Sequence, residues 1–368
     1  MNRRNFVVSS AAAVQGVFAQ SANDQVATAV IGVGNRGSYL LGAVMNQPAA
    51  RVVALCDTKP DRLDKAATAA ARFNPSTTND WRKIIDRKDV DAVYIATPPY
   101  LHAEMAIAAL RAGKHVYCEK PVGVTAAQVR ELVKAAKASK TVFVSGQQMR
   151  SFKQIGEAVR RIREGAIGDV MWVKAQRHGT ADLPHNSTSA DWYFDVSKSG
   201  GYLIEMSVHN LDACNWAIGS RPVRACGFGG IQLYKNDPPG RTILDCASLT
   251  YEYANGAQLS FTQNVFHPRT LPSGDQYIYV YGTKGAVDLL TGAMLHPLGR
   301  AEQPSVLAAK QEEPRDAHIT AFYECITKGA ASPADITVGA TAALTAIMGH
   351  EAMTRKAVVN WSDLGVEL

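Results

Sequence analysis

A short apolar run, Val26 to Ile31, leads straight into Gly32-Val33-Gly34-Asn35-Arg36-Gly37, and no other feature of the chain constrains the fold as strongly. Ser38 to Met45 then shows apolar residues at helical spacing. A second apolar run, Arg51 to Cys56, ends in Asp57, 20 residues beyond Gly37. Strand, glycines, helix, strand and acid in this register describe a βαβ unit that takes a dinucleotide. Gly32 permits the tight turn, Gly34 lets the backbone approach a pyrophosphate, and Gly37 lets the helix pack closely on the strand. The helix N-terminus, opening at Asn35 and Arg36, offers N–H donors and a partial positive charge to the phosphates. Asp57 can accept hydrogen bonds from the adenosine ribose. This favours NAD, with NADP as the alternative because Lys59 and Arg62 lie close by.

Strands and helices go on alternating. Val90 to Thr97, His115 to Cys118 and Thr141 to Ser145 read as strands; Leu101 to Ala112 and Thr125 to Ala138 read as helices. The pattern predicts a doubly wound parallel sheet, a Rossmann domain over 22–148. A helix running to about Glu164 opens the remainder, 149–368. Strand-like stretches follow near Val170–Gln176, Val223–Leu233, Ala247–Tyr253, Gln258–Phe266 and Gln276–Tyr281, in the manner of a large, mostly antiparallel open sheet. The expected fold class is therefore α/β, a Rossmann domain followed by an α+β domain, and 368 residues suit two domains.

Charge and cysteine content exclude several classes. The net charge of +6 is spread over scattered lysines and arginines, with no basic block that would track nucleic-acid phosphates. Past the first twenty or so residues no apolar run is long enough to span a bilayer. The six cysteines form no C-x-x-C pair, so buried free thiols are expected rather than a disulfide framework or a zinc site. No metal is expected.

Residues 1–21 read differently. Arg3-Arg4-Asn5-Phe6 precedes an alanine- and valine-rich stretch to Phe18, and Ala19 and Ser21 are small residues at the spacing a signal peptidase reads. The pattern resembles a twin-arginine export signal, although Asn2 stands where serine or threonine is usual. It implies a periplasmic or exported protein that leaves the cytoplasm already folded with its cofactor tightly bound; the alternative is an N-terminal tail on a cytoplasmic protein.

Two further signatures go beyond a generic dinucleotide fold. One is Ala96-Thr97-Pro98-Pro99-Tyr100-Leu101-His102 with the later Glu119-Lys120-Pro121. The other is Gly200-Gly201-Tyr202-Leu203-Ile204-Glu205-Met206-Ser207-Val208-His209-Asn210-Leu211-Asp212. Together they resemble the Gfo/Idh/MocA family, which takes its name from glucose–fructose oxidoreductase and inositol dehydrogenase. The resemblance implies that Lys120 lies beside the nicotinamide and positions a substrate hydroxyl, and that His209 is the acid/base. Thr97, Pro98, His102 and Glu119 would join Lys120 around the cofactor. Glu205 stands where the family usually has aspartate, one methylene longer in reach. A homodimer or homotetramer is also implied, formed over the open sheet face.

The spacing adds a geometric expectation. Glu205, His209 and Asp212 stand at i, i+4 and i+7, which on one helix is one face. A carboxylate there can hold the histidine tautomer while the histidine takes and returns a proton. The long stretch from Arg177 to Ser199 carries Trp192 and Tyr193, whose rings can stack on a sugar. Arg150, His178 and Asp212 are further candidates for substrate contact.

The function these residues suggest is an NAD-dependent oxidoreductase acting on a sugar or polyol hydroxyl. A first alternative is an NAD-dependent glycoside hydrolase that oxidises, eliminates, hydrates and re-reduces with no net redox change. A second is a cofactor-bound sensor without catalysis.

Overall fold

A computed structural model describes residues 25–368 except 273, 292, 300, 301, 313 and 315. The export-signal expectation for residues 1–21 lies outside the described residues.

The first sheet has six strands: β1 (Val26–Ile31), β2 (Ala50–Cys56), β3 (Ser76–Thr78), β4 (Ala92–Ile95), β5 (His115–Cys118) and β6 (Phe143–Ser145). All pair in parallel, in the order β3-β2-β1-β4-β5-β6. The crossovers carry α1 (Asn35–Met45), α2 (Pro60–Ala69), α3 (Trp81–Ile85), α4 (His102–Arg111) and α5 (Ala126–Ala138). Every residue of β1, β4 and β6 is buried, as expected where helices cover both faces of a parallel sheet. The strand order reverses between β1 and β4, and a crevice opens there at the carboxyl ends. The sequence reading missed β3, because Ser76-Thr77-Thr78 is a polar edge strand with no apolar run to mark it.

The second half contains α6 (Lys153–Arg163), β7 (Val170–Arg177), then four helices: α7 (Ala190–Tyr193), α8 (Val196–Ser199), α9 (Gly201–Glu205) and α10 (Val208–Ile218). The strands β8 (Pro222–Gly230), β9 (Cys246–Tyr253), β10 (Gln258–Asn264), β11 (Gln276–Gly282), β12 (Gly285–Asp288), β13 (Met294–Pro297) and β14 (Ser305–Val306) follow. The chain closes with α11 (Ala317–Lys328), α12 (Ile336–Arg355) and β15 (Val359–Asn360). Nine strands form one sheet in the order β14-β13-β12-β11-β7-β10-β9-β8-β15. Among the described residues of this sheet only β7 and β10 pair in parallel, so it is mixed and mostly antiparallel.

Alternation explains how this sheet sits. Ala247, Leu249, Tyr251 and Tyr253 of β9 point into the core under α10 and α12, while Ser248 and Thr250 between them are exposed. The opposite face leaves Met171, Trp172 and Phe228 in solvent. Helix α11 returns to the first sheet, where Phe322 meets the Tyr94 ring edge-on at 5.2 Å and Tyr323 Oη lies 2.9 Å from Thr28 Oγ1. Among the described residues no helix is long and apolar enough to cross a membrane. All six cysteines are free; Cys226 is exposed and Cys246 half-buried, while the other four are buried.

Candidate active site

The glycine turn is built as its spacing requires. Gly32 has φ +85°, a left-handed conformation that side chains disfavour. A methyl group on Gly37 would sit 1.8 Å from the Gly32 carbonyl oxygen, so α1 approaches β1 as closely as only glycine permits. Asp57, at the end of β2, is buried; its carboxylate accepts from the Val33 N–H at 2.8 Å and the Lys59 N–H at 2.9 Å. The acid therefore braces the turn while facing the crevice. Glycines without Cβ atoms, a free helix N-terminus and a carboxylate at the strand end make a set that fits a dinucleotide.

The crevice opens into a cavity of about 660 Å³. Its walls include Gly34, Asn35, Arg36, Asp57, Thr97, Pro98, His102, Glu119, Lys120 and Glu205, together with Trp192 and Tyr193. His102, at the start of α4, is buried with Nδ1 2.7 Å from the Pro121 carbonyl and Nε2 2.8 Å from the Thr97 carbonyl. It thereby joins the β4 loop to the β5 loop. Arg36 donates to Glu119 at 2.7 Å and to Gln148 at 2.8 Å, which fastens the start of α1 to the segments following β5 and β6.

Lys120 is the cation at the cavity floor. Its Nζ donates to Glu205 Oε1 at 2.8 Å and also to the Glu205 backbone carbonyl, and both side chains are largely buried. Glu205 ends α9, so the pair bridges the two halves of the chain. His209 sits in the first turn of α10, behind the cavity wall, with Nδ1 3.2 Å from Gln147 Oε1. With that amide oxygen as acceptor, Nδ1 carries the proton and Nε2 keeps its lone pair. Burial, and then the Lys120 charge, hold the His209 pKa well below that of an ordinary histidine, so the ring is neutral at pH 7.

Several expectations need correction. Glu205, His209 and Asp212 do not lie along one helix face, because the helix breaks at Met206 and Ser207. The N–H groups of both residues donate to the Tyr202 carbonyl, and the buried Ser207 hydroxyl bonds Gln263 Oε1 at 3.1 Å. Glu205 consequently pairs with Lys120. Asp212 and Arg150 are not in the cavity wall; they form a bidentate ion pair at 2.7 and 2.9 Å, with Arg150 lying over the Trp216 ring. Burial raises the Asp212 pKa against the opposing pull of Arg150. His178 is not in the wall either. It stacks on His267 at 4.8 Å, and its Nδ1 accepts from the Asn264 N–H at 2.9 Å.

The sequence reading also overlooked groups that belong to the site. Gln147 lies two residues beyond β6 at the carboxyl edge of the sheet, and that position was the available signal. Tyr202 and Met206 line the cavity from the second half. Nothing in local spacing pointed to them; they lie on either side of the end of α9, where the neighbouring Ser207 hydroxyl bonds Gln263 of β10.

Comparison with known proteins agrees with this geometry. Residues 26–147 match the oxidoreductase family model with an NAD-binding Rossmann fold named for Gfo, Idh and MocA, and residues 155–288 match that family's C-terminal domain. The chain belongs to the Gfo/Idh/MocA family of NAD-binding oxidoreductases. Levoglucosan dehydrogenase of Pseudarthrobacter phenanthrenivorans is 31% identical over 60% of this chain and 61% of its own length. The 2,7-anhydro-N-acetylneuraminate hydratase of Mediterraneibacter gnavus is 27% identical over 78% of this chain and 74% of its own. In fold, a levoglucosan dehydrogenase solved with NADH and L-sorbose superposes with a TM-score of 0.79 at 22% identity, covering 93% of this chain and 100% of that one.

Proposed function

We propose that this enzyme oxidises a hydroxyl of a sugar or related polyol, with His209 taking the proton, Lys120 steadying the developing charge and Glu205 positioning Lys120. The observation that carries the reading is the Lys120–Glu205 pair, 2.8 Å long, in the wall of the same cavity as the glycine turn and Asp57. Bound NAD supplies a hydride acceptor, and the remaining work falls to the protein. Lys120, oriented by two bonds to Glu205, has an N–H left to donate to the substrate oxygen and stabilise developing alkoxide charge. Neutral His209 takes the hydroxyl proton at Nε2, leaving a ketone. Trp192 and Tyr193 offer aromatic faces to a sugar ring. The ketone and alcohol directions use the same residues in reverse.

A second reading is favoured by the match to the anhydro-neuraminate hydratase, which extends over more of this chain than the dehydrogenase match. In it the oxidation is transient: the proton beside the new carbonyl is lost as the glycosidic or anhydro oxygen leaves from the next carbon, water adds across the resulting double bond, and the carbonyl is reduced again. One assay separates the two. Purified protein is given NAD and a panel of sugars and anhydro-sugars, and both NADH absorbance and product mass are followed. Net oxidation accumulates NADH in step with product. The redox-neutral cycle forms product with no NADH. Neither signal with any sugar would sink both readings.

The proposal extends to assembly and location. Exposed Met171, Trp172 and Phe228 on the open sheet face support a homodimer or homotetramer, which light scattering would register. The Arg3-Arg4-Asn5-Phe6 start supports twin-arginine export, and an Arg3→Lys/Arg4→Lys chain should then stay in the cytoplasm.

A further inference from the structure

The stretch from Arg177 to Ser199 carries Trp192 and Tyr193, the rings expected to stack on a sugar. In the structure its reach is longer. Leu183, Pro184, Thr188 and Asp191 line the cavity beside Asp57, the end expected to hold the adenosine ribose. Two contacts fasten it to α2 and the turn before it: Arg62 Nη2 donates to the Thr188 carbonyl at 2.7 Å, and Lys59 Nζ lies 4.0 Å from Asp191 Oδ2. The Arg62 guanidinium also lies over the glycine turn, where a methyl on Gly34 would meet Nη1 at 3.2 Å. Arg62 thus stands between the pyrophosphate cradle and the segment covering it.

The segment is anchored firmly at its other side. Asp182 pairs with Arg241, both fully or almost fully buried, and the Arg241 cation lies over the rings of Phe194 and Tyr234. Tyr193, Phe194, Tyr202, Ile243 and Val265 form a small apolar core of their own beneath it. A stretch with its own core and a buried ion pair is a built element rather than a loose connection.

We propose that residues 181–193 form part of the cofactor site: latched to Arg62 and Lys59, they close the adenosine end and slow the escape of NAD. This rests on NAD occupying the cavity. A retained cofactor suits an enzyme that returns its cofactor to the starting state within each cycle, because exchange with a free pool is then unnecessary.

The test uses the full chain loaded with NAD, diluted into buffer, with release followed by tryptophan fluorescence. Arg62→Ala should release NAD about tenfold faster, as expected for loss of a charge-assisted hydrogen bond. Lys59→Glu, which sets two like charges together, should speed release by about threefold. Lys59→Glu combined with Asp191→Lys should return the rate to within about twofold of the original. Unchanged release in Arg62→Ala would overturn the latch. So would failure of the double exchange to restore the rate, since Lys59 would then be acting on NAD directly. A parent chain that binds no NAD would instead overturn the underlying cofactor reading, and that outcome is visible before any variant is made.

Discussion

Lys120 and Glu205 are 85 residues apart in sequence, yet their charged ends meet at 2.8 Å between the two halves of the chain. The resemblance to the family implies aspartate in this place; this chain has glutamate, and its carboxylate reaches the lysine. It therefore governs where the ammonium points. We propose that it is a positioning group and not a second base.

That division of labour sets an order of severity. His209→Ala should lower turnover by roughly 100- to 10,000-fold with NAD affinity nearly intact, and Lys120→Ala should damage both substrate affinity and rate. Glu205→Gln keeps a hydrogen-bond acceptor and should cost less, about tenfold, chiefly in kcat. Steady-state kinetics with NAD titrated separately would check the order. A Glu205→Gln enzyme as impaired as His209→Ala would assign the glutamate a proton-transfer role instead.

Buried histidines make the fold sensitive to acid. Burial, with help from His267, holds His178 down to about 4, and burial with the Arg36 charge does the same for His318. In the unfolded chain both return to about 6.5. Between these values the unfolded chain binds more protons than the folded one, so stability falls as pH drops from about 6.5 towards 4. Thermal unfolding followed across that window should show a falling midpoint, and His318→Gln should flatten the fall. Since His209 is held neutral as well, the rate should show no histidine limb between pH 6 and 8.

The two glycines of α1 should respond in opposite ways. Gly37→Ala drives a methyl into the Gly32 carbonyl at 1.8 Å and should abolish NAD binding and lower the melting temperature. Gly42 has nothing within 4 Å of where a Cβ would go, so Gly42→Ala should be neutral or stabilising by about 0.5–1 kcal/mol. Calorimetry on the pair would separate a packing requirement from a general intolerance of α1.

Arg150 and Asp212 should matter for stability and not for chemistry. Removing the guanidinium in Arg150→Ala leaves a buried carboxylate alone, a loss of roughly 3–5 kcal/mol. Denaturant unfolding should register it, while kcat of the protein that remains folded stays near the parent value. A large fall in kcat with unchanged stability would return both residues to the substrate site.

The parts of the site that were legible in the sequence are those fixed by contiguous residues. Gly32 to Gly37, Asp57 and the Glu119-Lys120-Pro121 turn each lie at a strand end, where local spacing determines which way they face. The bend at Met206 and Ser207 was not legible. No glycine or proline marks it, and the buried Ser207 hydroxyl at the bend bonds Gln263 on a strand more than 50 residues away. Spacing on an unbroken helix consequently grouped Asp212 with Glu205, whereas the fold sends one to Arg150 and the other to Lys120. Polar edge strands such as β3 and two-residue strands such as β14 escape for a simpler reason: they bury too little to leave an apolar pattern.

The return of α11 to the first sheet has a consequence for synthesis. Tyr94 and Tyr117 are emitted from the ribosome some two hundred residues before Phe322 and Tyr323, the side chains that cover them. A nascent chain halted after β6 would expose those rings and leave Thr28 without its Tyr323 partner. The first sheet is thus among the earliest parts made, yet it keeps an uncovered face until α11 has been translated.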